Sequence, residues 1–244
     1  MAGKVIMVAS GKGGTGKSTV CVLLAAELAA RGHRVLLIEL DSGLRSVDII
    51  AGVYGRTVYD IEDIMCARCE ADKAVVESPI YKGLSVISAP YSGGSINKAA
   101  LGVMTEKLSD VFEYILIDTA AGMGEAFLAA ASVCRAALLV LTPDPVALRD
   151  GRIVADALLS DARTELRLIV NRVNPDTVVK NGIRDLDECI DTVGVQLLGV
   201  IPESAQIMQA AANGVPLAEK CKEKQVFRHI AARICGEEAP LIIR

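Results

Sequence analysis

With 244 residues, 52% of them apolar, the chain is long enough for one large α/β domain and too apolar to be disordered. A net charge of −4 argues against a dedicated nucleic-acid binder, and seven scattered cysteines do not form a secreted disulfide framework. No apolar run reaches the length of a spanning helix, and Met1 to Lys4 lacks a signal peptide's plan, so a cytoplasmic protein is expected.

Apolar runs alternate with helical patterns along the chain. A strand at 5–8 runs into a glycine-rich loop and a helix at 19–31. Further strands are predicted at 34–39, 84–89, 114–118, 136–141, 166–170 and 195–201. Helices are predicted at 95–112, 146–159, 184–193, 205–212 and 218–234. Apolar strands alternating with helices mean a doubly wound, mostly parallel β-sheet with helices on both faces. No linker or repeat interrupts residues 1–244, so one domain is expected. Ligands in such sheets lie beyond the carboxyl ends of the strands.

The loop Gly11-Lys12-Gly13-Gly14-Thr15-Gly16-Lys17-Ser18-Thr19 fits the pattern G-x-x-x-x-G-K-[S/T] between a strand and a helix, the setting of a triphosphate site. Glycines let successive N–H groups point at anionic oxygens, and the following helix adds its positive end. Lys17 would reach the outer phosphates, and the Ser18 hydroxyl would ligate Mg²⁺. Two strands end in acid. Glu39 and Asp41 follow the second, and Asp118 closes Ile115-Leu116-Ile117-Asp118. A carboxylate there holds Mg²⁺ or orients an attacking water. Asn171 closes another strand with an amide that suits an adenine edge, and Arg172 beside it can stack on a ring.

The string K-G-G-T-G-K-S-T resembles the deviant Walker A of the MinD/ParA family of dimeric ATPases. The resemblance covers nearly the whole chain. It implies a P-loop ATPase fold, ATP with Mg²⁺, and an ATP-dependent homodimer in which Lys12 reaches the partner's nucleotide. Glu39 to Asp48 is similar to the family's D-x-D-x-G-L-R-N-x-D. Asp41, Gly43, Leu44, Arg45 and Asp48 match, so Asp41 inherits the hydrolytic water. Glu39 stands where the family usually has Asp, and Ser46 where it has Asn. Asp118 to Glu125 resembles the switch segment D-S-P-A-G-I-E-E, with Ala120 and Gly124 departing from it. The Asn171-Arg172 pair and the Pro202-Glu203 stretch resemble the family's adenine walls. Leu148 to Arg152 places the chain nearer MinD than ParA.

The implied function is a slow switch ATPase for spatial regulation, such as placing the division site (septum), with a regulatory protein partner on the dimer surface. After Cys235 the chain has Gly-Glu-Glu-Ala-Pro-Leu-Ile-Ile-Arg, too short and acidic for the family's membrane-binding helix. Direct membrane binding is therefore not expected, and neither is nucleic acid. Three alternatives remain open. Cys66 and Cys69, a C-x-x-C pair, would matter in a metal or iron–sulfur maturation ATPase. The others are a ParA-like partitioning ATPase and an ATP-gated scaffold with little turnover.

Overall fold

The computed structural model describes residues 2–43, 45–91, 93, 96–161, 163–176, 182–183 and 185–242. Eight strands form one sheet: β1 (Lys4–Ala9), β2 (Val35–Glu39), β3 (Val76–Glu77), β4 (Leu84–Ile87), β5 (Tyr114–Asp118), β6 (Ala136–Leu141), β7 (Glu165–Val173) and β8 (Leu197–Pro202). Their order is β3-β4-β2-β5-β1-β6-β7-β8, parallel throughout except for the short antiparallel edge strand β3.

Ten helices among the described residues flank the sheet. They are α1 (Lys17–Ala30), α2 (Ser46–Ile50), α3 (Ile61–Met65), α4 (Ala71–Ala74), α5 (Lys98–Ser109), α6 (Glu125–Val133), α7 (Pro145–Leu159), α8 (Leu186–Val193), α9 (Ala205–Asn213) and α10 (Lys222–Ile234). Strand side chains alternate between two cores because successive residues point to opposite faces. Met7 and Ala9 of β1, Leu36 and Ile38 of β2 and Ile117 of β5 enter the core beneath α5, α6 and α7. Ile6, Val8, Leu37 and Leu116 enter the other, beneath α1 and α10. Burial on both faces is why these strands read as unbroken apolar runs.

The differences from the sequence reading have local causes. Helix α5 begins at Lys98 because the Asn97 side chain accepts from the N–H groups of Ala99 and Ala100. Residue 95, where that helix was expected to start, lies outside the described residues, as does Arg184 before α8. The short helix α3 starts at Ile61, where Asp60 and Asp63 form a capping box. Helix α6 and strand β3 were not anticipated. Helix α10 starts at Lys222 rather than 218, with the Cys221 sulfur accepting from Lys224 N–H.

Strand β7 runs past 170 to Val173 through an irregularity. Val170 pairs with Val200 and Val173 with Pro202, so β7 carries an extra residue there. Arg172 takes a left-handed φ of 57° within it. Such bulges re-aim side chains. Here the result is a buried Asn171 and an exposed Arg172, both beside the glycine loop.

Candidate nucleotide-binding site

The loop after β1 leads directly into α1, whose first residue is Lys17. Gly16 precedes it at φ 84°, and a Cβ there would collide with the Asn171 amide nitrogen. Only glycine satisfies both demands. At Gly11 a Cβ would run into the Asp150 carbonyl, so α7 packs directly on the loop. A cleft of about 250 Å³ opens over the loop. Gly13 to Thr19 line it, with Ser10, Asp41, Ser46 and Arg172 among its other walls. A smaller recess of about 40 Å³ adjoins it, walled by Thr19, Asn171, Arg172, Pro202 and Glu203.

Lys17 is 6% exposed, and its Nζ lies 2.7 Å from Oδ1 of the fully buried Asp118. Parallel pairing of β2 with β5 sets Glu39 directly opposite Asp118. Glu39 accepts from Val47 N–H through Oε1, at 3.1 Å. Its Oε2 and Asp118 Oδ2 are buried without a hydrogen-bond partner. Burial pushes the Glu39 carboxyl up to about 8, against the hydrogen bond from Val47, and the Asp118 and Asp48 carboxylates push the same way. Burial also raises Asp41, opposed by Lys17 and assisted by Asp118.

Buried polar atoms left unpaired call for a missing partner. Ser10 Oγ and Thr15 Oγ1 are unpaired as well, on the loop itself. Ser18, Glu39 and Asp118 offer only hard oxygen donors, two of them carboxylate atoms without a partner. That donor set fits Mg²⁺.

Most of the predicted site residues meet here. Gly11 to Thr19, Glu39, Asp41, Asp118, Asn171, Arg172, Pro202 and Glu203 all gather at the carboxyl ends of the strands. Two of them have different neighbours from those expected. Asn171 Nδ2 donates to the Thr15 carbonyl at 2.7 Å, so its amide nitrogen braces the loop rather than facing the base recess. Lys12 is exposed and pairs within its own chain, its Nζ 3.3 Å from Asp144 Oδ1.

Asp144 is a site neighbour that the sequence reading missed. It caps α7 by accepting from Ala147 N–H, and Thr142 donates to it too. Partial burial pushes its carboxyl up, but these hydrogen bonds and Lys12 more than offset that and hold it below the ordinary range. Its signal was present as an acid before proline at a strand end, an N-cap pattern. Ser10 was missed too, and no local pattern marks it. Leu44, which matched the family motif, lies outside the described residues.

Cys66 is exposed at the end of α3 and Cys69 half-buried. Among the described residues no group of three or more His, Cys, Asp or Glu is placed to hold a metal. No described helix is long and apolar enough to cross a membrane.

A strand–glycine loop–helix turn that presents a lysine, beside strand-end acids with unsatisfied oxygens, defines a P-loop nucleotide-binding protein. The chain belongs to the CobQ/CobB/MinD/ParA nucleotide binding domain family, which matches residues 6–217. It is 34% identical to the septum site-determining protein MinD of Synechocystis over 98% of this chain and 92% of that protein. It superposes on the Aquifex aeolicus MinC:MinD cell division protein complex with a TM-score of 0.90 at 31% identity, covering 98% of this chain and 99% of that one. The MinD of Pyrococcus horikoshii, solved with Mg-ADP, superposes with a TM-score of 0.80 at 23% identity over 95% of each chain.

Proposed function

We propose that the chain is a MinD-like ATPase that binds Mg-ATP, forms a face-to-face homodimer, and hydrolyses ATP slowly as a switch for spatial regulation such as division-site placement. The observation that carries this is the pair of unsatisfied oxygens, Glu39 Oε2 and Asp118 Oδ2, on adjacent strand ends, with the other Asp118 oxygen held by the loop lysine.

On binding, Lys17 leaves Asp118 for the phosphate chain, joining the loop N–H groups and the N-terminus of α1. Ser18, Asp118 and Glu39 would hold the metal. A bound Mg²⁺ would neutralise charge between the outer phosphates. Asp41 orients the attacking water. The base sits in the recess between Arg172 and the Pro202-Glu203 turn.

Lys12 reaches the partner's nucleotide and stabilises the charge that develops there. Its pairing with Asp144 does not prevent this. The two side chains are 43% and 22% exposed, and ion pairs of that kind are worth only about 0–1 kcal/mol. The nucleotide-stabilised dimer would present the surface for a regulatory protein, and membrane association would come through that partner.

The test is light scattering with ADP and with ATP, with phosphate release followed in the same samples, for the wild type and Lys12→Ala. The expected result is an ATP-dependent dimer, released phosphate, and loss of turnover in Lys12→Ala. A wild type that stays monomeric in ATP, or a Lys12→Ala protein with normal turnover, would overturn the trans-lysine mechanism.

A further inference from the structure

Asp41, just after β2, lines the cleft, and the described residues that follow it, Gly43 and Arg45, are tied to the segment after β4 and to α2. Gly43 has φ 96° and Arg45 has φ 44°, ψ 48°. An arginine in the left-handed region is uncommon and persists only where its surroundings hold it.

The contacts that hold Arg45 are with residues that line neither the cleft nor its adjoining recess. Its Nη2 lies 2.6 Å from Asp48 Oδ2, with Arg45 5% and Asp48 0% exposed. The guanidinium carbon lies 3.9 Å from the centre of the Tyr91 ring. Ser88, just beyond β4, donates its hydroxyl to Asp48 Oδ1, and Thr57 Oγ1 lies 3.2 Å from Ser88 Oγ. The Asp48 carbonyl accepts from Val53 and Tyr54 N–H, at 2.8 and 3.1 Å. Gly43 N–H donates to the Pro90 carbonyl at 3.2 Å, tying the turn to the same segment after β4.

An arginine two elements after a phosphate loop invites assignment as a phosphate ligand. The geometry here sets its guanidinium against a buried carboxylate and an aromatic face, with its buried Nε left without a hydrogen-bond partner. We infer that the Arg45–Asp48 pair, braced by Ser88 from the end of β4, is a positioning device that holds the turn so that Asp41 faces the cleft. The chain of contacts runs from β4 through Ser88 and Asp48 to Arg45 and the turn. None of Arg45, Asp48 and Ser88 lines the cleft or its adjoining recess. The inference rests on the proposed hydrolysis for its kinetic readout, and on the burial of Arg45 for an independent one.

Breaking a buried ion pair from one side is destabilising, so Asp48→Ala is a poor probe. Asp48→Asn keeps the shape, and Ser88→Ala removes only the brace. The experiment measures single-turnover phosphate release, Mg-ADP affinity and limited trypsin digestion for the wild type and both variants. The expected result is a turnover constant lower by about tenfold or more, because misplacement of about 1 Å costs that much or more. ADP affinity is expected to change by less than about twofold, since the loop and α1 are untouched. Trypsin is expected to cut after Arg45 in the variants and to spare it in the wild type.

Unchanged turnover in both folded variants, or turnover and ADP affinity falling together, would overturn the inference. So would a wild type cut after Arg45 as fast as the variants. If the wild type releases no phosphate, the hydrolysis reading fails, and the brace is judged on the cleavage alone.

Discussion

Asn171→Ala separates two roles for one amide. As a base reader, Asn171 would discriminate adenine from guanine. As a brace, it would support the loop whatever base is bound. The side chain is 6% exposed and its Nδ2 donates to the Thr15 carbonyl at 2.7 Å. Truncation removes that bond and leaves the carbonyl short of a partner, a loss of about 1–3 kcal/mol for a buried group. If half or more of this falls on the loop's phosphate-binding shape, affinity drops by about threefold to a hundredfold, at about 1.4 kcal/mol per tenfold. The loss should be common to ligands that share only phosphates. Calorimetry with Mg²⁺ and ADP, GDP or inorganic tripolyphosphate reads it directly. The expected outcome is a similar fold-loss for all three, with the ADP to GDP ratio unchanged. Tripolyphosphate binding at wild-type strength with a collapsed ADP preference would refute the brace and restore the base-reading role.

Two further outcomes follow from packing and capping. Phe227→Ala in α10 removes a fully buried ring from the core shared with α1. It should cost about 3–5 kcal/mol in denaturant unfolding. A loss under about 1 kcal/mol would mean that α10 is not part of that core. Asp144→Ala removes the cap of α7 and should cost about 0.5–2 kcal/mol near neutral pH. The Asp144 carboxyl sits below its ordinary value in the folded chain, so its stabilisation is present above that ordinary value and fades as pH falls through the folded one. The difference between wild type and variant in urea midpoints should therefore shrink below about pH 4. A difference that stayed constant into acid would show that the charge contributes nothing.

The parts of the site that were legible in the sequence are those made within one short stretch. The glycine loop, the acid of Ile115 to Asp118 and the strands around them are local patterns with a local cause, the alternation that buries both sheet faces. What could not be read needed a distant neighbour. That Gly16 leaves room for Asn171 depends on contact between the loop and β7 across 155 residues of chain. The bulge that turns Asn171 inward is a mismatch between β7 and β8, invisible in either strand alone. Asp144 lay in plain view as a capping residue, but its contact with Lys12 needed the fold. Helix α6 was passed over because its run of alanines carries little apolar periodicity.

The charges of the cleft explain why its parts should engage together. Asp41 and Asp118 stand beside one buried lysine, with Glu39 opposite Asp118 on the next strand. With the cleft as described, Lys17 is the cation nearest Asp118, and Glu39 is held toward its neutral form by burial. Removing Lys17 from Asp118 without replacing it would strand a buried charge, which costs several kcal/mol. A triphosphate alone draws Lys17 away and leaves that charge exposed to the phosphates. A divalent cation alone would have to share the Asp118 carboxylate with Lys17. Together they would exchange one ion pair for two, with Lys17 free for phosphate and Asp118 free for the metal. On this reading nucleotide and Mg²⁺ each bind more tightly in the presence of the other, by a coupling that must be equal in both directions. Asp41 lines the cleft, less buried than Glu39 and Asp118 and within the field of Lys17. Its place is set by the turn behind it, which is why the brace at Arg45 and Asp48 bears on turnover rather than on affinity.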